Sequence, residues 1–266
     1  MKISIVGCGN MGLIYARAFL KYDIVSKNNL LLAEKNEQRK QELQQLNVGE
    51  VTVVNDPKIS ESDIVIIAVK PQDFNALATE LKRVLKPDNL LISIMAGITI
   101  RTIQEQLNTN KIVRAMPNSP AEAGMGMTGF SCAENLSVEQ IRKAENLLST
   151  TGRCVFFEEE KMLDAVTALS GSGPAYFFYL VKHMIDAGKQ MGMEESVATM
   201  LVKQTMQGAF YLINNANKPL DELIKAVASK GGTTEAALSV FSENSVGENL
   251  AKGILRAEQR AKELAK

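Results

Sequence analysis

Short apolar runs, separated by polar stretches, mark out the first part of the chain. Lys2-Ile3-Ser4-Ile5-Val6, Leu30-Leu31-Leu32-Ala33 and Val51-Thr52-Val53-Val54 come first, and each ends at glycine or a polar residue. Asp63–Val69 is apolar after its first residue, as a strand buried on both faces should be. Leu90–Ile94, Ile112–Met116 and Cys154–Phe157 complete the set. Between the first two runs Leu13–Leu20 reads as a helix, and Ser137-Val138-Glu139-Gln140 fits a capping box opening a helix to about Leu148. Strands alternating with helices predict an α/β domain.

After Glu160 the strand pattern stops. Leu169-Ser170-Gly171-Ser172-Gly173-Pro174-Ala175-Tyr176 leads into a long helical stretch, with Pro174 suited to a first turn. Further helices are expected over Glu195–Asn214, Leu220–Ala228 and Thr234–Leu264. Val197, Met200, Leu201, Met206 and Ala209 make these helices apolar on more than one face, so much of that surface is expected to bury in a partner subunit.

The junctions between elements carry the candidate chemistry. Gly7-Cys8-Gly9-Asn10-Met11-Gly12 lies between the first strand and the first helix, the context a dinucleotide-binding G-x-G-x-x-G requires. Gly7 suits the tight turn, Gly9 the approach of a pyrophosphate and Gly12 close helix–strand packing. Glu34 ends the second strand, where an acid bonds a ribose 2′-hydroxyl and favours NADH. Lys35 and Arg39 follow and suit a 2′-phosphate instead. The choice between NADPH and NADH stays open, with a lean to NADPH. Lys70-Pro71 closes the fourth run at the carboxyl end of the sheet, where such folds bind ligands.

A second junction, Ser229-Lys230-Gly231-Gly232-Thr233-Thr234, precedes the last helical stretch. Gly231 and Gly232 free the backbone, the Thr pair can cap the helix, and the N–H groups at its start suit a small anion. The division expected is therefore residues 1–160 as a dinucleotide-binding domain and 161–266 as an all-helical domain.

Composition narrows the class. Thirty basic residues offset thirty acidic ones, so nothing electrostatic points to nucleic acid or an anionic membrane. The three cysteines are scattered and His183 is the only histidine, so neither a disulfide framework nor a zinc or Cys/His nucleophile site is expected. No apolar run approaches the ~18 residues of a spanning helix, and a cytoplasmic protein is expected. A nicotinamide domain with a small-anion pocket suggests hydride transfer to or from a small carboxylate. The β-hydroxyacid dehydrogenases place a catalytic lysine about a turn beyond a glycine-rich segment, but here Phe177 stands four beyond Gly173 and the first lysine is Lys182. An imine fits better, because its basic nitrogen is protonated before hydride arrives and needs only orientation.

The chain resembles the pyrroline-5-carboxylate reductases, which make proline, along nearly its whole length. The resemblance rests on the glycine fingerprint, Ala68-Val69-Lys70-Pro71, Ala96-Gly97, Met116-Pro117-Asn118-Ser119-Pro120, the run Asp164–Tyr176 and Gly231-Gly232-Thr233-Thr234. It implies a Rossmann-type domain followed by a helical dimerisation domain. It also implies that Thr234 hydrogen-bonds the ring nitrogen, while N–H groups near Thr233 and Thr234, with Ser229, hold the substrate carboxylate. Glu160 stands where the family has a substrate-contacting glutamate. Gly7, Gly9, Asn10, Met11, Gly12, Asn55, Ala68, Val69, Lys70, Pro71, Ala96 and Asn118 would line the cofactor. The family binds substrate between helical domains of two subunits, so a dimer, or a ring of dimers, is implied. This chain departs from the family at Lys230, where a proline is usual, and at Glu34-Lys35, where many relatives have a neutral residue followed by Arg or Ser.

Overall fold

The computed structural model describes residues 1–264. Eight strands form one sheet: β1 (Ile3–Val6), β2 (Leu30–Ala33), β3 (Glu50–Thr52), β4 (Ile64–Ile67), β5 (Leu90–Ser93), β6 (Ile112–Met116), β7 (Gly126–Cys132) and β8 (Gly152–Phe156). Their order is β3-β2-β1-β4-β5-β6-β7-β8. The first six are parallel, β7 runs antiparallel to β6, and β8 runs parallel to β7.

Burial on both faces explains the unbroken apolar runs. Ile3 and Ile5, Leu30 and Leu32, Ile64 and Ile66 point into one core, while Val6, Leu31, Val65 and Ile67 point into the other. The first core is covered by α1 (Asn10–Lys21), through Tyr15, Ala16 and Phe19, and by α5 (Val138–Leu148), through Ala144, Leu147 and Leu148. α2 (Glu37–Leu46) adds Leu43 to that side. The second core is covered by α3 (Phe74–Leu81) and α4 (Ile100–Leu107), through Phe74, Leu81 and Ile103. Ser137 and Gln140 form the expected capping box at α5.

Three departures from the sequence reading have physical causes. β3 begins at Glu50 and ends at Thr52, because Val53 to Asn55 turn away and the Thr52 hydroxyl donates to Asp56, which caps the short helix at Pro57. β7 is a strand that the apolar runs did not reveal, since Gly126, Gly129, Thr128 and Ser131 interrupt its apolar residues. The stretch 234–264 is two helices, α10 (Thr233–Glu243) and α11 (Val246–Leu264), parted where Ser245 takes a left-handed φ of 50°.

The chain divides into two compact units: residues Met1–Ser172 with the chain from Ala257 on, and residues Gly173–Arg256. In the first, α6 (Met162–Val166) runs into a single π-helical turn, Thr167–Gly171. The second contains α7 (Gly173–Gln190), α8 (Glu195–Asn215), α9 (Leu220–Val227), α10 and most of α11. Here α7 meets α8 where Gly188 faces Ala198, and a Cβ on Gly188 would lie 2.8 Å from that of Ala198. Only Gly173, Gly188 and Ala198 are buried in this unit, so its large apolar side chains have no core of their own. Among the described residues no helix is long and apolar enough to cross a membrane.

Candidate active site

The glycine-rich corner follows directly from β1. Gly7 donates to the Ala33 carbonyl at 2.9 Å and holds a φ of 88°, and a Cβ there would strike Val69 at 2.5 Å. Gly12 packs so closely that a Cβ would lie 2.5 Å from the Gly7 oxygen. Gly9 differs: a Cβ there would meet nothing within 4 Å. It is the N-cap of α1 and has no side chain to cover the N–H groups of the first turn, Asn10 and Met11 among them. Such a start concentrates N–H donors and partial positive charge, which suits an anion.

A cavity of about 550 Å³ lies beside this corner, at the carboxyl ends of β1, β2 and β4. It brings together Gly7, Glu34, Lys35 and Val69 from the sequence-derived set. Its other walls, Asn36, Val54, Gln72, Asp73, Ala76, Leu77 and Glu80, were not anticipated. Their signal is position alone, since they follow the ends of β2, β3 and β4 where such sheets bind ligands. The remaining candidates stand outside that cavity. Asn55 is exposed in the turn after β3, and Lys70 and Pro71 are exposed at a short 3-10 helix. Ala68 donates to the Val6 carbonyl at 2.8 Å, and Ala96 is half-buried beyond β5. Asn118 is tied down: its amide donates to the Ser170 carbonyl and hydroxyl at 3.2 Å each, and its oxygen accepts from Met127 N–H at 2.8 Å.

At the end of β2 the charged groups are locked to the backbone. The Glu34 carboxylate accepts from the N–H groups of Cys8 at 3.0 Å, Lys35 at 2.8 Å and Asn36 at 3.0 Å. Arg39 donates from Nε to the Cys8 carbonyl at 2.9 Å and from Nη1 to Glu42 at 2.7 Å. Asn36 caps α2 by accepting from Arg39 N–H. Burial, then the Glu34 charge, push the Cys8 thiol up to about 12.

A buried charge cluster anchors the other end of the sheet unit. Arg114 lies inside β6 and is 3% exposed. Its Nη1 donates to Glu160 at 2.8 Å, and its Nη2 lies 3.6 Å from Asp164. The same Glu160 oxygen accepts from Ile100 N–H at 2.8 Å, at the first residue of α4. Glu160 therefore ties β6 to α4, and a guanidinium in a core is tolerable only with such partners. Arg114 was missed because it sits in an otherwise apolar strand.

In the helical unit, the start of α10 is shaped by its glycines. Gly231 holds a φ of 72° and donates to Glu235 at 2.6 Å. Gly232, not the Thr pair, is the N-cap, with no side-chain bond, and Thr233 and Thr234 are the first two helical residues. Gly232 donates to the Ser229 carbonyl at 3.0 Å, and a Cβ on it would lie 2.7 Å from the Ser229 hydroxyl. Lys230 is exposed. His183 stacks edge-on against Tyr179 at 4.3 Å.

A mostly parallel, doubly wound sheet with a glycine-rich turn, a cavity at its carboxyl edge and a second, helical unit is the architecture of nicotinamide-dependent oxidoreductases. The family model described as "Pyrroline-5-carboxylate reductase dimerisation" matches residues 160–264, and that described as "NADP oxidoreductase coenzyme F420-dependent" matches residues 2–97. The pyrroline-5-carboxylate reductase of Pseudomonas aeruginosa is 37% identical over 217 residues, 81% of this chain and 80% of the relative. That of Arabidopsis thaliana is 32% identical over 265 residues, 99% of this chain and 95% of the relative. The solved Coxiella burnetii pyrroline-5-carboxylate reductase superposes with a TM-score of 0.88 at 30% identity, covering 100% of this chain and 98% of that one. The Plasmodium falciparum pyrroline carboxylate reductase, solved with NADP bound, gives 0.88 at 26% identity with the same coverage. The chain belongs to the pyrroline-5-carboxylate reductase family.

Proposed function

We propose that this reductase converts 1-pyrroline-5-carboxylate to L-proline with a division of labour between residues 1–160, which hold NADPH or NADH, and residues 161–266, which hold the substrate. The cofactor supplies hydride to the imine carbon. Gly7, Gly9 and Gly12 shape its corner, and Asn10 and Met11 N–H groups at the start of α1 take the pyrophosphate. Ala68, Val69, Lys70, Pro71, Ala96, Asn118 and Asn55 line the approach to it.

At the start of α10, the N–H groups of Thr233 and Thr234, with Ser229, Gly231 and Gly232, hold the substrate carboxylate. The Thr234 hydroxyl fixes the ring nitrogen, and Glu160 contributes a further contact. The nitrogen carries a proton from solvent before hydride adds, so the carbon–nitrogen double bond becomes a single bond with no protein acid. The observation that carries this reading is the Gly232 cap: it has no side chain to bond the first N–H groups of α10, and the Glu235 carboxylate is taken up by Gly231 N–H ahead of the cap, which leaves the Thr233 and Thr234 N–H groups for a carboxylate.

The same reading makes the protein a homodimer, from which rings of dimers are built, with the second copy completing the substrate pocket. The uncovered apolar side chains of residues 173–256 support it. Three free thiols suit the reducing cytoplasm, and the charge balance offers no handle for nucleic acid or membrane surfaces.

Oxidation of NADPH and NADH by purified protein, with and without 1-pyrroline-5-carboxylate, tests the reaction. Rapid substrate-dependent loss of either is expected. No loss from folded protein that still binds a cofactor would remove the substrate assignment. Thr234→Ala is expected to lower kcat/KM by about tenfold or more, the scale of one well-placed hydrogen bond, with cofactor affinity little changed. An unchanged rate would take Thr234 out of the mechanism.

A further inference from the structure

The corner at the end of β2 carries a specificity that the sequence left open. A carboxylate offers about four acceptor positions. The Glu34 carboxylate spends three of them on the N–H groups of Cys8, Lys35 and Asn36. Turning it away from the cavity would orphan all three donors, so the charge is fixed in the cavity wall. One acceptor position remains, enough for a hydroxyl that donates.

The positive charges nearby are mostly committed elsewhere. Arg39 is bound to the Cys8 carbonyl and to Glu42, and Lys40 is paired with Glu37 at 2.5 Å. Of the charged residues lining the cavity, Glu34, Asp73 and Glu80 are acidic and only Lys35 is basic. A 2′-phosphate would bring about two more negative charges into a wall of three carboxylates and one ammonium. A free ribose 2′-hydroxyl brings none and can donate to the last acceptor position of Glu34.

We propose that Glu34, held by the Cys8, Lys35 and Asn36 backbone, is the residue that sets cofactor choice, and that it selects NADH over NADPH. This reverses the sequence's lean to NADPH, because Arg39, one of the two bases behind that lean, is tethered to the Cys8 carbonyl and Glu42 and does not line the cavity. It rests on the reading that this cavity receives the adenosine half of the dinucleotide.

Equilibrium titration of the purified protein with NADH and with NADPH, read by nicotinamide fluorescence, tests it directly. The wild type is expected to bind NADH about tenfold or more tighter, roughly one unfavourable charge contact. Glu34→Gln should bring the two affinities together, chiefly by tightening NADPH, while Lys35→Ala should widen the gap. Equal or tighter binding of NADPH by the wild type overturns the proposal and leaves the cavity assignment standing. A well-folded Glu34→Gln protein that keeps the wild-type ratio also overturns it. Binding of neither cofactor overturns the cavity assignment and the proposal together.

Discussion

Gly9 is the residue at which structure and function separate most cleanly. Its neighbours Gly7 and Gly12 are held to glycine by packing, whereas a side chain at Gly9 would meet nothing within 4 Å. Gly9→Val should therefore fold normally and still block a pyrophosphate at the helix start. Cofactor Kd is expected to rise on the order of tenfold or more; an unchanged Kd in the variant would move the pyrophosphate elsewhere. Cys8, between the glycines, bears on stability instead. Its ordinary value of 9.0 is raised to about 12 in the fold, and that of Cys132 to about 11 by burial. Between these limits the unfolded chain loses thiol protons that the folded chain keeps. The stabilisation is whole below about pH 9 and declines as pH rises toward the folded values. Urea midpoints measured from pH 8 to pH 10.5 should fall above about pH 9. The slope should be shallower in Cys8→Ala, and an identical slope there would mean that other groups drive the alkaline loss.

Arg114 in β6 shows how one side chain, through Glu160 and Asp164, ties its strand to α4 and α6. Its removal leaves Glu160 and Asp164 without their cation, and Asp164 Oδ1 is already buried without a hydrogen bond. Arg114→Met is expected to cost about 3 kcal/mol or more in denaturant unfolding, with Arg114→Lys in between. A loss below roughly 0.5 kcal/mol would show that the cluster contributes little to stability. The elements of the fold differ in how plainly the sequence announced them. β1, β2, β4, β5 and β6 were readable because strands covered on both faces are unbroken apolar runs. β7 was not, since its glycines and hydroxyls break that pattern and its pairing to β6 comes from tertiary context. The break between α10 and α11 was hidden because Glu243–Val246 contains neither glycine nor proline, and the left-handed turn falls on Ser245. The glycine-rich corner and the Gly231-Gly232 turn stood out because backbone freedom has a residue signature. The bond from Cys8 to Glu34, and the pairing of Arg114 with Glu160, have none, because they join residues far apart in the chain.

The whole chain sets a further condition, because its helical unit cannot stabilise itself in the ordinary way. Residues 173–256 bury only Gly173, Gly188 and Ala198, while Phe178, Phe210, Tyr211 and Val227 are 69%, 62%, 66% and 66% exposed. Covering one such aromatic is worth about 1.5–3 kcal/mol, so leaving them all in water forfeits most of what helps to hold a domain together. A second copy can cover them, and a stable interface needs about 1,200–2,000 Å² in total. The protein is therefore expected to sediment as a dimer or larger at micromolar concentration, with a Tm that rises with protein concentration. Phe178→Asp combined with Phe210→Asp should shift it toward monomer and lower kcat/KM, while cofactor affinity of residues 1–160 changes far less. If the wild type is monomeric by sedimentation and fully active in that state, the second copy is no part of the substrate pocket, and the helical unit must hold its carboxylate alone.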